Sequence, residues 1–260
     1  MKITVICPTY NSESFVEDTL HSVFSQTRLP EELVLVDDGS SDRTVELLEK
    51  LVGKYSSQLR CLIIQGDHKG PGAARNRGIQ AATGDWIAFI DSDDLWEKTK
   101  LEIIEETLCF YPEINFLCHS EISRTLTGSE RKLEYYRRYN QNKPLSGQLF
   151  SANLFSTSAV VCKRKVLMDS QGFDESLMSA QDYELWLRLS PNLNVFFLSD
   201  ILGKYIHRPG NITSSGLNKR LKNELKIAIK YRHYVPKTGF IIRICRILIS
   251  FTIQFFRRYS

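Results

Sequence analysis

Hydrophobic residues in the first 90 positions form short runs that alternate with segments of helical periodicity. Four nearly continuous apolar runs predict buried strands, because a strand covered on both faces needs no polar alternation. They are Ile3–Cys7, Leu33–Val36, Cys61–Ile64 and Trp86–Ile90. Between the runs, apolar side chains recur three or four positions apart, as expected for amphipathic helices. This alternation predicts an α/β fold with a doubly wound, mostly parallel sheet.

The second half of the chain is less regular and predicts a smaller second region. Its pattern favours helices over Leu101–Leu108 and Tyr183–Leu189 and strands over Ile114–Cys118, Ala159–Cys162 and Val195–Leu198. The polar and basic segment 124–143 predicts a loop or a surface hairpin. No repeat or linker splits the chain, so we expect one domain over 1–215, with halves 1–118 and 119–215, and a helical tail over 216–260.

Polar side chains follow three of the four predicted strands. Thr9, Tyr10 and Asn11 come after the first strand, Asp37 and Asp38 after the second, and Asp91, Ser92 and Asp93 after the fourth. The carboxyl ends of parallel strands lie at one edge of a sheet, where such folds bind their ligands. The sequence therefore predicts a binding site built from these three loops.

The fourth strand ends in three carboxylates within four positions, at Asp91, Asp93 and Asp94. Clustered carboxylates repel one another, and a hard divalent cation such as Mn²⁺ or Mg²⁺ would compensate them. The alternative is a polar loop in which Asp94 caps a helix that begins near Leu95. A glycine-rich stretch at Gly70–Gly72 follows the third strand and lacks the third glycine of a dinucleotide fingerprint, so we discount that interpretation.

Six segments, in order, resemble the family 2 glycosyltransferases, which have the GT-A nucleotide-diphospho-sugar-binding fold. They are Val5–Asn11, Val36–Asp42, Gly72–Gly78, Asp91–Asp94, Gly172–Glu175 and Gln181–Leu189. The resemblance spans roughly residues 1–215. It implies an inverting enzyme that moves a sugar from a nucleotide-diphospho-sugar, with UDP-sugar the first choice. The acceptor would be a saccharide or lipid-linked molecule in cell-envelope or exopolysaccharide synthesis.

The resemblance also implies how the nucleotide is held. Asp38 would accept a hydrogen bond from the base, with Asp37 and Arg75 nearby, and Tyr10 would pack against the base. The backbone of Pro8 and Thr9 would face the nucleotide, and Asn11 and Ser92 complete the predicted nucleotide-sugar-binding set. As alternatives, Asp37 or Asp42 could cap the following helix, and Arg75 could be a solvated helix charge.

For the metal, the resemblance implies that Asp93 binds Mn²⁺ or Mg²⁺ and that Asp91 contacts the ribose or the metal shell. The cation would neutralise charge on the leaving diphosphate. His207 begins a basic segment, His207–Asn211, that resembles a part of the family's pattern. His207 could ligate the metal or touch the diphosphate, Arg208 could do the latter, and a structural role for His207 stays open.

Transfer with inversion needs a general base for the acceptor hydroxyl, and Asp182 matches the family's acid for this role. It begins a predicted helix whose inward face carries Leu185, Trp186 and Leu189. Two alternatives stay open: Asp182 could form a capping box with Ser179, and Glu184 could be the base. Gln181 departs from the family pattern, which has an acid at that position.

The tail is basic over residues 219–237 and apolar over 240–256. On a helix, a narrow polar stripe would carry Arg243, Arg246, Ser250, Gln254 and Arg257. Arginines inside the run argue against a membrane span, so residues 238–258 are predicted to lie as an amphipathic helix in a membrane interface. The alternative is a helix docked on the catalytic domain or on a partner.

Composition narrows the class of protein further. The net charge of +4 over 260 residues gives no indication of nucleic-acid binding. Six scattered cysteines without a CxxC pair, and no apolar leader after Met1, predict a protein of the cytoplasm, at the inner face of the plasma membrane.

Two alternative functions remain. A sugar nucleotidyltransferase would need a glycine-rich loop after the first strand, and a non-catalytic nucleotide-sugar-binding protein would not need Asp91, Asp93 and Asp182.

Overall fold

The computed structural model describes residues 1–55, 57–208 and 217–259. Its first half contains the four predicted strands, joined by three helices. The strands are β1 (Ile3–Thr9), β2 (Glu32–Asp37), β3 (Arg60–Gln65) and β4 (Trp86–Phe89). The helices are α1 (Val16–Phe24), α2 (Thr44–Tyr55) and α3 (Pro71–Ala81). β1 pairs in parallel with β2 and β4, and β2 pairs in parallel with β3, as the alternation predicted.

The second half adds five strands and six helices to the described part of the chain. The strands are β5 (Leu95–Trp96), β6 (Phe116–Arg124), β7 (Glu130–Leu133), β8 (Val160–Lys163) and β9 (Val195–Ile206). The helices are α4 (Lys100–Phe110), α5 (Leu145–Ser151), α6 (Arg164–Asp169), α7 (Gln181–Leu189), α8 (Leu217–Lys230) and α9 (Lys237–Tyr259).

One mixed sheet runs through the described residues in the order β3-β2-β1-β4-β8-β6-β9-β5, with β7 paired to β6. β8 is antiparallel to both β4 and β6, while β6 and β9 are parallel. The predicted α/β class is confirmed, and every antiparallel pair includes a strand of the second half. The strand order reverses at β1, so its loop and those of β2 and β4 open onto one crevice.

Three local expectations can be compared with the second half. The segment 124–143 contains a hairpin, since β7 pairs with the end of β6. The strand expected over Val195–Leu198 is longer and extends to Ile206 as β9. The helix expected near Leu95 is absent, because Leu95 and Trp96 pair with Lys204 and Gly203 of β9 instead.

Two hydrophobic cores lie on the two faces of the sheet, and one of them fixes α7. Trp186 of α7 is fully buried among aromatic rings. Its ring centroid lies 5.2 Å from that of Phe116 and 6.0 Å from that of Phe173. Burying an aromatic ring of this size removes roughly 150–250 Å² of surface from water, which holds the helix against the sheet. The amino end of α7, which carries Asp182, is thereby fixed relative to the sheet.

The tail forms two helices that pack on the α/β domain. Ile247 of α9 is 4% exposed, and Phe240 and Ile244 pack against the same core. Arg243, predicted to lie on a narrow polar stripe, pairs with Glu224 of α8 across 3.6 Å. Docking on the α/β domain therefore accounts for one face of α9. The domain boundary expected at residue 215 and the side chain of Arg257 lie outside what the structure describes.

No helix within the described ranges is both long enough and apolar enough to cross a bilayer.

Candidate active site

Asp37 and Asn11 build the loops that follow β2 and β1. Asp37 is 2% exposed, and its Oδ2 accepts hydrogen bonds from the N–H groups of Gly39 (3.1 Å) and Ser40 (2.8 Å). Asn11 Oδ1 accepts from the N–H of Ser41 at 2.9 Å. These bonds join the two loops into one wall of the crevice. Pro8 and Thr9 lie buried in β1 beside this wall, where Thr9 donates to Asp37.

Asp38 connects the end of β2 to the loop before α3. Its Oδ1 accepts from the N–H of Lys69 at 3.0 Å and its Oδ2 from the N–H of Gly70 at 2.7 Å. Gly70 has φ +94°, a conformation that favours glycine. Asp38 thus has its carboxylate occupied by backbone donors, and its contact with a base stays a prediction. Asp42 takes its alternative role, since it accepts from the N–H of Thr44 at the start of α2 (3.0 Å).

Tyr10 presents an exposed ring at this wall. The ring is stacked on His68, with centroids 4.0 Å apart and an angle of 20° between the planes. Tyr10 is 45% exposed, so part of its surface remains open to a ligand. Flat rings that are open to solvent suit stacking with a nucleobase. His68 was missed by the sequence analysis, because only the loop held by Asp38 brings it to Tyr10.

Arg75 of α3 and Asp91 after β4 form an ion pair across the crevice. Arg75 is buried, with 4% of its surface exposed. Its Nε and Nη1 atoms have no hydrogen-bond partner in the described structure. Such unpaired donors are costly unless a ligand satisfies them. Arg75 is therefore not a solvated helix charge.

Asp93 and Ser92 complete the loop after β4. Ser92 Oγ lies 2.9 Å from Ser12 Oγ, which fixes the loop to the chain after β1. Burial and the neighbouring charge of Asp91 raise the pKa of Asp93 to about 6. A raised pKa means that the ionised carboxylate lacks enough compensating charge.

The expected cap role of Asp94 is wrong. Asp94 is 1% exposed, and its Oδ2 accepts from the hydroxyl of Ser158 at 2.6 Å. Its Oδ1 accepts from the N–H of Ile206 at 3.1 Å. The following helix, α4, begins only at Lys100. Asp94 therefore fixes the acidic loop to β9 and to the turn that contains Ser158.

The donor atoms present fit a divalent cation of the Mg²⁺ or Mn²⁺ type. No three His, Cys, Asp or Glu side chains in the described ranges converge into a protein-only metal cage. Such cations commonly take one or two carboxylates and complete their shell with water and substrate phosphates. Asp93, whose charge is under-compensated, and the partly exposed Asp91 offer such a half-site.

His207 does not join this half-site. Its Nε2 lies 2.8 Å from the hydroxyl of Ser123, and its backbone N–H donates to the carbonyl of Arg124. The three-ligand set of Asp91, Asp93 and His207 is therefore not assembled here. The guanidinium of Arg208 lies 4.7 Å from the ring centroid of Phe15, and its charge acts on Asp93. Residues 209–211 of the same segment lie outside the described ranges.

Asp182 lies at the start of α7, close enough to the crevice for the charges of Arg75 and Asp91 to act on it. Burial raises the pKa of its carboxyl above the ordinary value, and Arg75 lowers it. The capping-box alternative is not observed: Ala180 is the N-cap, with φ +58° and no side-chain cap. Ser179 instead accepts from the amide of Asn223 on α8. A carboxylate with a raised pKa in a crevice suits a general base.

Glu184, the alternative base, is occupied elsewhere. It is 1% exposed and accepts hydrogen bonds from Lys230 (2.7 Å), Tyr231 and Arg188. Bonds from these three side chains lower its pKa, although burial alone would raise it. Glu184 therefore joins α7 to α8 and is a poor proton acceptor.

Known glycosyltransferases match much of this chain in sequence. The profile described as Glycosyl transferase family 2 matches residues 4–169. The amylovoran biosynthesis glycosyltransferase AmsB of Erwinia amylovora is 31% identical over 193 residues, which cover 72% of this chain and 64% of AmsB. Two matched Rickettsia glycosyltransferases are longer, and the chain covers 35% of each.

Solved structures share the fold. The crystal structure of S. aureus TarS 1–349 in complex with UDP-GlcNAc matches with a TM-score of 0.73 at 24% identity, covering 95% of this chain and 72% of that one. The mannosyltransferase PcManGT from Pyrobaculum calidifontis, in complex with GDP-Man and Mn²⁺, matches with a TM-score of 0.67 at 19% identity, covering 96% and 69%. The GT-A fold and the family profile together lead to one conclusion: the chain belongs to glycosyl transferase family 2.

Proposed function

We propose that the protein transfers a sugar from a nucleotide-diphospho-sugar, with UDP-sugar the preferred donor, to a hydroxyl group of a saccharide or lipid-linked acceptor. One observation carries this proposal: Arg75 of α3, Asp91 after β4 and Asp182 of α7 interact electrostatically in a single crevice. A positive group for a diphosphate therefore lies beside a carboxylate with a raised pKa.

The donor is held, in this proposal, by the walls of the crevice. Tyr10 stacks with the base, and the unpaired Nε and Nη1 donors of Arg75 bind diphosphate oxygens. Charge-assisted bonds of this kind are stronger than neutral ones. Support comes from the relatives: TarS has been crystallised with UDP and with UDP-GlcNAc, and PcManGT with GDP-Man.

Asp93 and Asp91 would hold Mn²⁺ or Mg²⁺ together with the donor's phosphates. The bound cation supplies charge neutralisation for the departing nucleoside diphosphate. The Mn²⁺ in the PcManGT structure supports this assignment.

Asp182 accepts the proton of the acceptor hydroxyl. The acceptor oxygen then forms a bond to the anomeric carbon on the face opposite the diphosphate, and the bond between that carbon and the phosphate oxygen breaks. The electron pair leaves with the nucleoside diphosphate, and the anomeric configuration inverts. Burial favours this proton transfer, because a carboxylate with a raised pKa is a stronger base.

The acceptor is proposed to be a cell-envelope polysaccharide or its lipid-linked precursor, at the inner face of the plasma membrane. Two relatives support the class of acceptor: AmsB is named for amylovoran biosynthesis, and TarS is a poly(ribitol-phosphate) β-N-acetylglucosaminyltransferase.

The outer face of α9 supports the proposed membrane contact. It exposes large apolar side chains at helical spacing, namely Ile241, Ile242, Leu248, Ile249, Ile253 and Phe256. Exposed basic residues lie nearby, including Lys237 and Arg246, and such a surface suits an anionic bilayer.

The decisive experiment incubates the protein with a panel of UDP-, GDP- and dTDP-sugars and measures the release of free nucleoside diphosphate. Release with Mn²⁺ that stops on addition of a chelator is expected. Metal-dependent binding of a donor without release, in the presence of envelope-derived acceptors, would instead indicate a non-catalytic binding protein. Formation of nucleoside triphosphate from pyrophosphate and a nucleotide sugar would indicate a sugar nucleotidyltransferase.

A further inference from the structure

Ser158 connects four separate elements beneath the acidic loop. It lies in the 3₁₀ turn Thr157–Ala159 and is 1% exposed. Its hydroxyl donates to Asp94 Oδ2 at 2.6 Å and accepts from the backbone N–H of Asp91 at 3.0 Å. Its carbonyl accepts from Lys100 Nζ at 2.7 Å and from Trp96 Nε1 at 3.2 Å. The hydroxyl and the carbonyl of Ser158 are thus both directed at the chain that follows β4.

The amine of Lys100 is fully buried in this arrangement, and burial lowers its pKa. Lys100 is 0% exposed, and its Nζ lies 3.7 Å from the centroid of the Trp96 ring. The ion pairs found among the described residues do not include it, although the charges of Glu121 and Asp94 act on it from nearby. Burying a lysine side chain costs free energy, which the hydrogen bond to the Ser158 carbonyl partly offsets. This bond fixes the turn that contains Ser158 relative to α4.

The neighbouring residue reaches the acceptor side of the crevice. Thr157 Oγ1 lies 3.5 Å from Asp182 Oδ2, a long hydrogen bond, and Thr157 is itself 6% exposed. Two successive residues of one turn therefore contact both sides of the crevice. Ser158 contacts the loop of Asp91, and Thr157 contacts the carboxylate of Asp182.

We propose that the turn Thr157–Ala159 is a positioning element that sets the acidic loop of Asp91 and Asp93 relative to Asp182. Ser158 positions the donor-side loop, and Thr157 orients the acceptor-side carboxylate. The inference rests on the proposed function for the roles of these carboxylates. Misplacement by about 1 Å can cost a hundredfold in rate, which is why a rigid link between the two sides has a function.

The first test is Ser158→Ala, with Ser190→Ala as the matched control. Ser190 is also buried, but its hydroxyl donates to the Leu187 carbonyl at the end of α7. Calorimetry measures the binding of Mn²⁺ together with UDP to each variant. Ser158→Ala is expected to weaken this binding about tenfold, the equivalent of one hydrogen bond, while Ser190→Ala retains wild-type affinity. Wild-type affinity in a folded Ser158→Ala protein would overturn the role of Ser158.

The second test is Thr157→Val, which keeps the shape of the side chain and removes its hydroxyl. A hydrogen bond to a carboxylate lowers the pKa of that carboxylate. Loss of the bond should therefore move the acidic limb of the kcat–pH profile, where activity rises as Asp182 loses its proton, to higher pH. Binding of Mn²⁺ and UDP should stay unchanged. A profile identical to that of the wild type would overturn the role of Thr157, even if Ser158→Ala proves too unstable to measure.

These results separate the inference from the proposed function. If the wild type releases nucleoside diphosphate and both variants behave like it, the positioning role fails and the transferase proposal stands. If the wild type binds Mn²⁺ and UDP but transfers no sugar, the proposed function fails. The effect of Ser158→Ala on binding still decides whether the turn positions the acidic loop.

Discussion

The guanidinium group of Arg75 forms an ion pair with the carboxylate of Asp91, which joins α3 to the loop after β4. The pair places a buried guanidinium with two unpaired donor atoms beside a partly exposed carboxylate of that loop. Arginine presents its donors in a rigid planar fork, which suits the oxygens of a diphosphate. The crevice therefore carries a positively charged group with free donor atoms, which suits an anionic ligand, before any ligand binds.

Arg75→Lys should weaken donor binding, although it keeps the positive charge. Lysine lacks the planar set of donors, so the bonds proposed from Nε and Nη1 are lost. Loss of one charge-assisted bond corresponds to about a 10- to 100-fold higher Kd for UDP, measurable by calorimetry. Arg60→Lys is the control, because Arg60 is exposed and pairs with Glu32 at the opposite end of the strands. Equal affinities for both variants would contradict the diphosphate role.

Asp93→Asn should abolish the stabilisation that Mn²⁺ and UDP give to the wild type. It should also raise the melting temperature of the cation-free protein at pH 7.5. The pKa of Asp93 is raised to about 6, so its ionisation costs folding free energy as the pH rises from about 4 to 6. Asparagine carries no such charge. Thermal unfolding with and without Mn²⁺ checks both points, and a lower melting temperature without cation would refute the second.

Asp182→Asn should abolish transfer while nucleotide-sugar binding survives. The amide cannot accept the acceptor's proton, and general-base catalysis contributes about 10²–10⁴-fold. Measuring kcat together with the Kd for the donor separates the two effects. Turnover near that of the wild type would show that another group is the base.

Glu184→Gln should destabilise the protein and leave the chemistry intact. Its bonds to Lys230, Tyr231 and Arg188 join α7 to α8, and weakening them should cost about 2 kcal/mol. Since these bonds lower the pKa of Glu184, its stabilising effect is present above pH 4.5 and is lost as the pH falls through the folded value. The difference in melting temperature should therefore shrink in acid.

The control for Glu184 is Asp169→Asn, which removes an exposed pair between Asp169 and Lys165. Exposed pairs contribute little, so this variant should melt like the wild type. A Glu184→Gln protein with wild-type stability and lost turnover would return Glu184 to the list of candidate bases.

The paired substitution Ile249→Asp and Ile253→Asp should release the protein from vesicles that contain anionic lipid. Both side chains lie on the outer face of α9, 58% and 48% exposed, so the fold should be unaffected. Deleting residues 238–260 is a poorer test, because it also removes Ile247 from the core. Flotation with vesicles measures the change. An oligomer that dissociates on substitution, without vesicle binding by the wild type, would indicate a second copy as the partner.

The sequence predicted much of the first half and little of the tail's arrangement. Continuous apolar runs identified all four strands of the first half, because the signal is local. β1, β2 and β4 are buried on both faces, whereas β3 is partly exposed at the edge of the sheet. Leu95 and Trp96 were misassigned, since their partners on β9 lie more than a hundred residues later. The tail's apolar positions did not reveal which of them face α8 and which face outward.

By itself, the sequence determined the four strands, the edge of the sheet where their loops meet, and the carboxylates available there. Only the tertiary structure decided what each carboxylate does. Asp38 is satisfied by backbone donors and Glu184 by α8. Burial raises the pKa values of Asp93, Asp94 and Asp182; of these, Asp94 is bonded to Ser158 and β9, whereas Asp93 and Asp182 border the crevice. The physical reason is that the free energy of a buried charge depends on partners brought in from distant parts of the chain, which no local pattern encodes.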